Sequence, residues 1–216
     1  MIQRSTRVAW FAVAVALMVG VGASGSPAEP PKTEGSLATA TFGGGCFWCM
    51  EPAFDVVPGV VSTTSGYTGG TKRDPSYEEV SAGGTGHVEV VQVRYDPTRV
   101  GYARLLEIFW HNVDPFDPHG QFCDKGEQYR SAIFFHDEEQ RRLAEESKRR
   151  LEASGRFQQP IATRLVPASD FYPAEGYHQD YYRKNPVRYR FYRRTCGRDA
   201  RLEALWGEDA KKGPSH

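Results

Sequence analysis

Cys46 stands in GGGCFWC, residues 43–49, behind three glycines and ahead of Phe47, Trp48 and a second cysteine. A thiol does its chemistry as a thiolate, and a thiolate at a helix N-terminus is favoured by the dipole and by unpaired backbone N–H groups. Both pull the thiol below its ordinary pKa of ~8.5. Pro52 supports a helix starting at residues 47–49, because proline lacks an N–H and is tolerated without cost only in the first helical turn. The glycines would let the backbone bend sharply before the thiol and let a substrate approach it. Cys46 is therefore the candidate nucleophile. Phe47 and Trp48 suit either a buried helix face or an apolar slot beside the thiol, since sulfur and methyl groups pack well on aromatic rings. Cys46 and Cys49 also make a C-x-x-C pair, the spacing of thioredoxin-like disulfide oxidoreductases.

Glu89 is the candidate acid. It alternates with His87, Val91, Val93 and Tyr95 in HVEVVQVRY, so it shares a mainly apolar strand face. Burial there raises a carboxylic acid's pKa and lets it donate a proton. The opposite face (Val88, Val90, Gln92, Arg94) is an alternative inward face, which would leave Glu89 in solvent. Tyr77 in PSYEEV and Tyr129 in GEQYRS read as loop phenols able to point a donor into a cleft, with Asp124 in FCDKGEQYRS placed to hold such a loop. His178 and Asp180 are two residues apart and do not face each other on a helix, which weakens a Cys-His-Asp triad. Cys123 and Cys196 are single and far apart, not a second C-x-x-C, so no metal site is expected.

The elements that must position these groups follow from pattern. Residues 37–42 read as a strand running into the glycines, then the helix from 47, then a β-branched strand in VVSTTSGY, then the 87–95 strand. Leu105, Leu106, Phe109, Trp110 and Val113 recur at helical period over 101–113. Residues 131–135 form a short strand, Asp137 caps an exposed helix ending near Gly155, and 161–166 is expected to be the final core strand. The remainder is an irregular, aromatic-rich tail with short helical pieces broken at Pro186 and Gly197. The order β-α-β-β-α-β predicts an α+β domain on a split βαβ, ferredoxin-like core with a mixed sheet.

Around that domain, Arg4 and Arg7 precede a 14-residue apolar run, Val8–Val21, and the small residues Gly22-Ala23-Ser24. This is the layout of a secretory signal peptide over residues 1–23. The run is short of the roughly 20 residues of a membrane-spanning helix, although an uncleaved anchor through residues 8–21 is the alternative. Residues 24–36 read as a flexible leader, 37–207 as one catalytic domain, and 208–216 as a disordered tail. Losing the two arginines of residues 1–23 from 27 basic and 27 acidic residues leaves 25 against 27. With no concentrated basic stripe, nucleic-acid binding is not expected. An exported, periplasmic or extracytoplasmic chain meets oxidising conditions, where structural disulfides are ordinary. A domain of this length does not need them for stability, which leaves room for working thiols.

The blocks GGGCFWCMEPAF, SGYTGG, PSYEEVSAGGTGHVEVVQVRYDP, LLEIFWHNVDP, GQFCDKGEQYRSAIF and YHQDYY resemble the class A methionine sulfoxide reductases, from about residue 38 to Gly207. The resemblance implies a ferredoxin-like α+β fold and Cys46 as the nucleophile. It implies Phe47 and Trp48 as the pocket for the substrate's S-methyl group and Glu89 as the proton donor. Tyr77 and Tyr129 would bind the sulfoxide oxygen, with Asp124 in the same loop. The implied reaction reduces methionine S-sulfoxide, free or in oxidised proteins, through a Cys46 sulfenic acid. A second cysteine resolves this to a disulfide, which thioredoxin or a similar dithiol reopens; no cofactor is needed. Cys196 is the expected resolving residue, with Cys123 and Cys49 as alternatives, and a monomer is expected. A thioredoxin-like exchanger using Cys46 and Cys49 is the competing function.

Overall fold

The valine-rich segment around Glu89 forms the strand at the middle of the sheet. The computed structural model describes residues 36–208, so the expected signal peptide, nearly all of the leader and all but the first residue of the tail lie outside the described residues. Within them run, in order, β1 (Ala38–Gly43), α1 (Phe47–Asp55), β2 (Val60–Thr68), α2 (Tyr77–Ala82), β3 (Val88–Tyr95), α3 (Tyr102–His111), β4 (Gly120–Gln121), β5 (Asp124–Lys125), β6 (Ala132–Phe135), α4 (Glu138–Ala153), β7 (Arg164–Pro167), β8 (Tyr172–Pro173), α5 (Tyr181–Lys184), α6 (Pro186–Thr195) and α7 (Arg198–Trp206). Among the described residues no helix is long and apolar enough to cross a membrane.

The main sheet has the order β7-β6-β1-β3-β2-β8. Its central four strands are antiparallel, with β3 inserted between β1 and β2. That is the split βαβ expected from element order, and the parallel β6–β7 pairing makes the sheet mixed. The 161–166 segment is not the last strand as expected: β7 starts at Arg164, and β8 follows on the other edge beside β2. The aromatic-rich C-terminal segment is helical, and its breaks fall at Pro186, which opens α6, and at Gly197, in the left-handed region between α6 and α7.

One sheet face packs under α1 and α3. Phe42 lies between them, its ring stacked 5.0 Å from Phe54 and 5.4 Å from Phe109, each such pair adding about 0.5–1.5 kcal/mol beyond the area it buries. The other face is covered at one end, where Val88, Val90, Ala132 and Phe134 pack with Val166 and Phe171. Two-sided burial explains why alternation alone left the inward face of β3 open: Val88 through Val91 are all buried, Glu89 among them. α4 is a surface helix capped as expected, with the Asp137 carboxylate accepting from the Gln140 N–H at 2.8 Å.

Candidate functional site

α1 begins where β1 ends. Gly45 takes φ +80°, a left-handed turn costly for any residue with a Cβ, and Cys46 follows as the N-cap. Gly44 has a different reason. A Cβ there would lie 2.5 Å from Met50 Sδ and 2.9 Å from Val113 Cγ1, so the glycine serves helix packing rather than substrate approach. The Gly44 carbonyl accepts a hydrogen bond from the guanidinium of Arg198, a buried residue of α7 that also lies over the Phe122 ring. Pro52 sits deeper than expected, in the second turn.

The two thiols of the C-x-x-C are free and buried, and the Cys46 carbonyl accepts the Cys49 N–H at 3.0 Å, folding the pair into the first turn. The two thiols are close enough to shift each other's ionisation. Here the expected lowering of the Cys46 pKa is overturned. Burial pushes the Cys46 thiol well up, with Cys49, Glu89 and Asp124 adding to the rise. Cys49 is pulled down to about 7, first by the hydrogen bond from Cys46 and then by the charges of Arg198 and Arg193. Desolvation thus outweighs the helix terminus at Cys46. The pair therefore loses one proton near neutrality, with the charge favoured on Cys49.

Glu89 reaches the same helix start. Its carboxyl accepts the Phe47 N–H at 3.1 Å, and at 1% exposure it is pushed up to about 8 by burial. A group of that pKa is mostly protonated at pH 7. Tyr77 and Tyr129 lie against each other and near Glu89 and Cys46, both phenols held protonated chiefly by burial. Neither is a loop residue as expected. Tyr77 opens α2 behind a Ser76 capping box, and Tyr129 closes a short 3₁₀ turn, Glu127–Tyr129.

The aromatic pair is anchored from the C-terminal region. The Trp48 indole N–H donates to His178 Nδ1 at 2.9 Å, and the indole stacks on Tyr181 with centroids 3.7 Å apart. Because Nδ1 accepts, neutral His178 carries its proton on Nε2, facing Glu175 Oε2 at 3.9 Å. Phe47 packs against the His178 and Tyr67 rings. Glu175 in turn accepts from the Tyr67 hydroxyl at 3.0 Å and the Tyr77 N–H at 2.8 Å, tying the phenol-bearing helix to this wall. His178 is therefore a support for Trp48 rather than a partner of a cysteine. Asp180 is apart from the thiols: its N–H donates to Glu51.

Cys123 and Cys196 form a disulfide with each other, so in this state neither is the thiol facing Cys46, where Cys49 sits instead. Asp124 straddles that bridge, one oxygen 3.6 Å from Cys123 Sγ and the other 3.9 Å from Cys196 Sγ. The Tyr192 hydroxyl donates to Asp124 at 2.5 Å, and burial raises the carboxyl above its usual range. Tyr192 also sets its ring edge against Trp48. His178, Tyr192, Arg193 and Arg198 were not picked out as site residues from sequence. The YHQDYY block and the arginine-dense 188–201 stretch were their only traces.

A buried dithiol at a helix start, a protonated acid beside it, and a second, more exposed cystine define a thiol-dependent oxidoreductase. Comparison with known proteins narrows the class. The family model for peptide methionine sulfoxide reductase matches residues 38–210. The chain is similar to the peptide methionine sulfoxide reductases MsrA of Bacillus licheniformis (54% identity, covering 78% of this chain and 93% of that one) and Listeria innocua (50%, covering 81% and 98%). Its fold is similar to methionine sulfoxide reductase A of Corynebacterium diphtheriae, with TM-score 0.63 and 36% identity, covering 72% of this chain and 78% of that one. The chain belongs to the peptide methionine sulfoxide reductase family. The thioredoxin-like alternative is set aside.

Proposed function

We propose that residues 37–207 form a catalytic domain that reduces methionine S-sulfoxide, free or in oxidised proteins, to methionine. One observation carries the reading: a carboxyl held mostly protonated by burial sits at the start of the same helix turn that bears Cys46. A sulfoxide offers an electrophilic sulfur, a basic oxygen and a methyl group. The Tyr77 and Tyr129 phenols and the Glu89 acid bind the oxygen, and Phe47 and Trp48 receive the methyl. The Cys46 thiolate, formed as Cys49 takes its proton, attacks the sulfur. Glu89 protonates the oxygen, the resulting hydroxyl passes from the substrate sulfur to the Cys46 sulfur as the transient S–S bond breaks, and methionine leaves Cys46 as the sulfenic acid. Proton delivery of this kind is worth about 10²–10⁴ in rate.

Cys49, in the same helical turn as Cys46, attacks the sulfenic sulfur, forming the 46–49 disulfide and releasing water. That bond is buried, whereas Cys123 is exposed, so electrons enter through the outer pair. A thioredoxin-type dithiol reduces Cys123–Cys196, and the resulting dithiol exchanges with the inner disulfide, closing again as the bridge observed. Cys196 thus keeps a redox role one step later than expected, and Asp124, between its sulfur and the inner site, is placed to carry protons in the exchange. The enzyme is read as a repair reductase, and as exported from the pattern of basic residues and apolar run in residues 1–23. A chirally resolved assay on wild type and Cys46→Ser tests the reading. Wild type reduces the S epimer and the variant does not; reduction of the R epimer alone, or unchanged turnover in Cys46→Ser, overturns it.

A further inference from the structure

We propose that reduction of the Cys123–Cys196 bridge creates a zinc site from Cys123, Cys196 and Asp124. Residues 73 apart in sequence meet here, and one donor atom from each of the three side chains lies within 4.8 Å of the other two. A tetrahedral zinc with bonds of about 2.3 Å to sulfur and about 2.1 Å to oxygen needs sulfur–oxygen edges of about 3.6 Å and a sulfur–sulfur edge of about 3.8 Å. The carboxylate already spans both sulfurs, Oδ1 at 3.6 Å from Cys123 Sγ and Oδ2 at 3.9 Å from Cys196 Sγ, so a turn of the carboxyl group brings a single oxygen to both. The covalent bridge itself is what keeps the two sulfurs too close for a metal, and reduction releases it, since two non-bonded sulfurs separate to roughly the distance zinc requires.

The surroundings suit a bound ion. The Tyr192 hydroxyl holds Asp124 by its hydrogen bond, the kind of outer contact that orients a metal-ligating carboxylate. Exposure of Cys123 leaves a route in and a fourth position for water. Two thiolates with one carboxylate select a borderline-soft cation over magnesium or calcium. A dithiol reductant supplies two electrons and two protons to open the bridge, and zinc then displaces the two thiol protons. The site is present in the reduced chain and absent in the oxidised one, so it is redox-gated, and a bound zinc withholds both sulfurs from exchange. It does not depend on the electron route proposed above.

The test titrates cobalt(II), then zinc(II), into the full chain reduced with a phosphine and freed of reductant without oxygen. The expected result in Cys46→Ser/Cys49→Ser, where the inner dithiol is gone, is one equivalent of cobalt with a thiolate charge-transfer band, displaced by zinc. The oxidised chain shows none, Cys123→Ser/Cys196→Ser loses the band from this site, and Asp124→Asn weakens binding at least about tenfold. The single variant Cys46→Ser repeats the measurement should the double one misfold. No band in the reduced chain, equal binding by the oxidised chain, a signal that vanishes with the inner cysteines and survives loss of the outer pair, or full affinity in Asp124→Asn overturns the proposal.

Discussion

Replacing Glu89 with glutamine removes the ionisable acid while keeping a hydrogen-bond donor of the same shape, and the structure sets what should follow. The inner thiol pair loses a proton at about 7 and Glu89 at about 8. Catalysis needs the pair ionised and Glu89 protonated, so the competent fraction is the product of the two. It peaks at about pH 7.5 and falls about sixfold by pH 6 and again by pH 9. Glu89→Gln should lower kcat/KM by about 10²–10⁴, the range for a positioned proton donor. It should also abolish the alkaline fall while the acid limb near 7 remains. The assay is methionine release from a resolved S-sulfoxide between pH 5.5 and 9.5, under single-turnover conditions so that recycling does not intrude. An alkaline limb that persists in Glu89→Gln, or a loss of less than about threefold, would refute Glu89 as the donor.

The same substitution should stabilise the fold at alkaline pH. Burial raises the Glu89 carboxyl from 4.5 to about 8, so the stability it contributes is full below 4.5 and lost as pH rises to 8, a difference of up to about 5 kcal/mol. Urea melts should show the variant's advantage widening from pH 5 to pH 8.5; a constant gap would count against a buried, protonated acid. His178→Ala deprives the Trp48 indole N–H of its acceptor and should cost about 1–3 kcal/mol, with a larger loss in kcat/KM for sulfoxide than in the rate at which the outer disulfide is reduced. Equal losses in both would contradict a role confined to the methyl pocket. Gly44→Ala drives a Cβ into Met50 and should cost about 1–3 kcal/mol by overpacking, checked by thermal denaturation; an unchanged Tm would show that Met50 moves aside freely.

What could be read from the sequence was local. Cys46, Phe47 and Trp48 are adjacent, so a helix beginning at 47 sets their arrangement, and the alternation in 87–95 put Glu89 on an apolar face. The order of elements was enough for the split βαβ because connection rules leave few ways to arrange such an order in one sheet. Other features depend on chain segments far apart. Trp48 and His178 lie 130 residues from each other, and Arg198 reaches the Gly44 carbonyl across 154; neither pairing leaves a periodicity. The cystine falls in the same class. With four cysteines and no contacts, any of three could face Cys46, and only the fold joins Cys123 to Cys196. The raised Cys46 pKa was missed for another reason. A helix start is visible in sequence, but complete burial beside Cys49, Glu89 and Asp124 is not, and burial outweighs it.

The division of the cysteines into an inner reacting pair and an outer recharging pair is the central claim, and counting methionines tests it. Fully reduced chain, mixed with excess S-sulfoxide and no reductant, should release two methionines and lose four thiols, ending with the 46–49 and 123–196 bridges in its peptide map. Cys196→Ser should stop at one methionine with a 46–49 disulfide. Two methionines from Cys196→Ser, or a Cys46–Cys196 bridge as the first disulfide formed in wild type, would contradict the account.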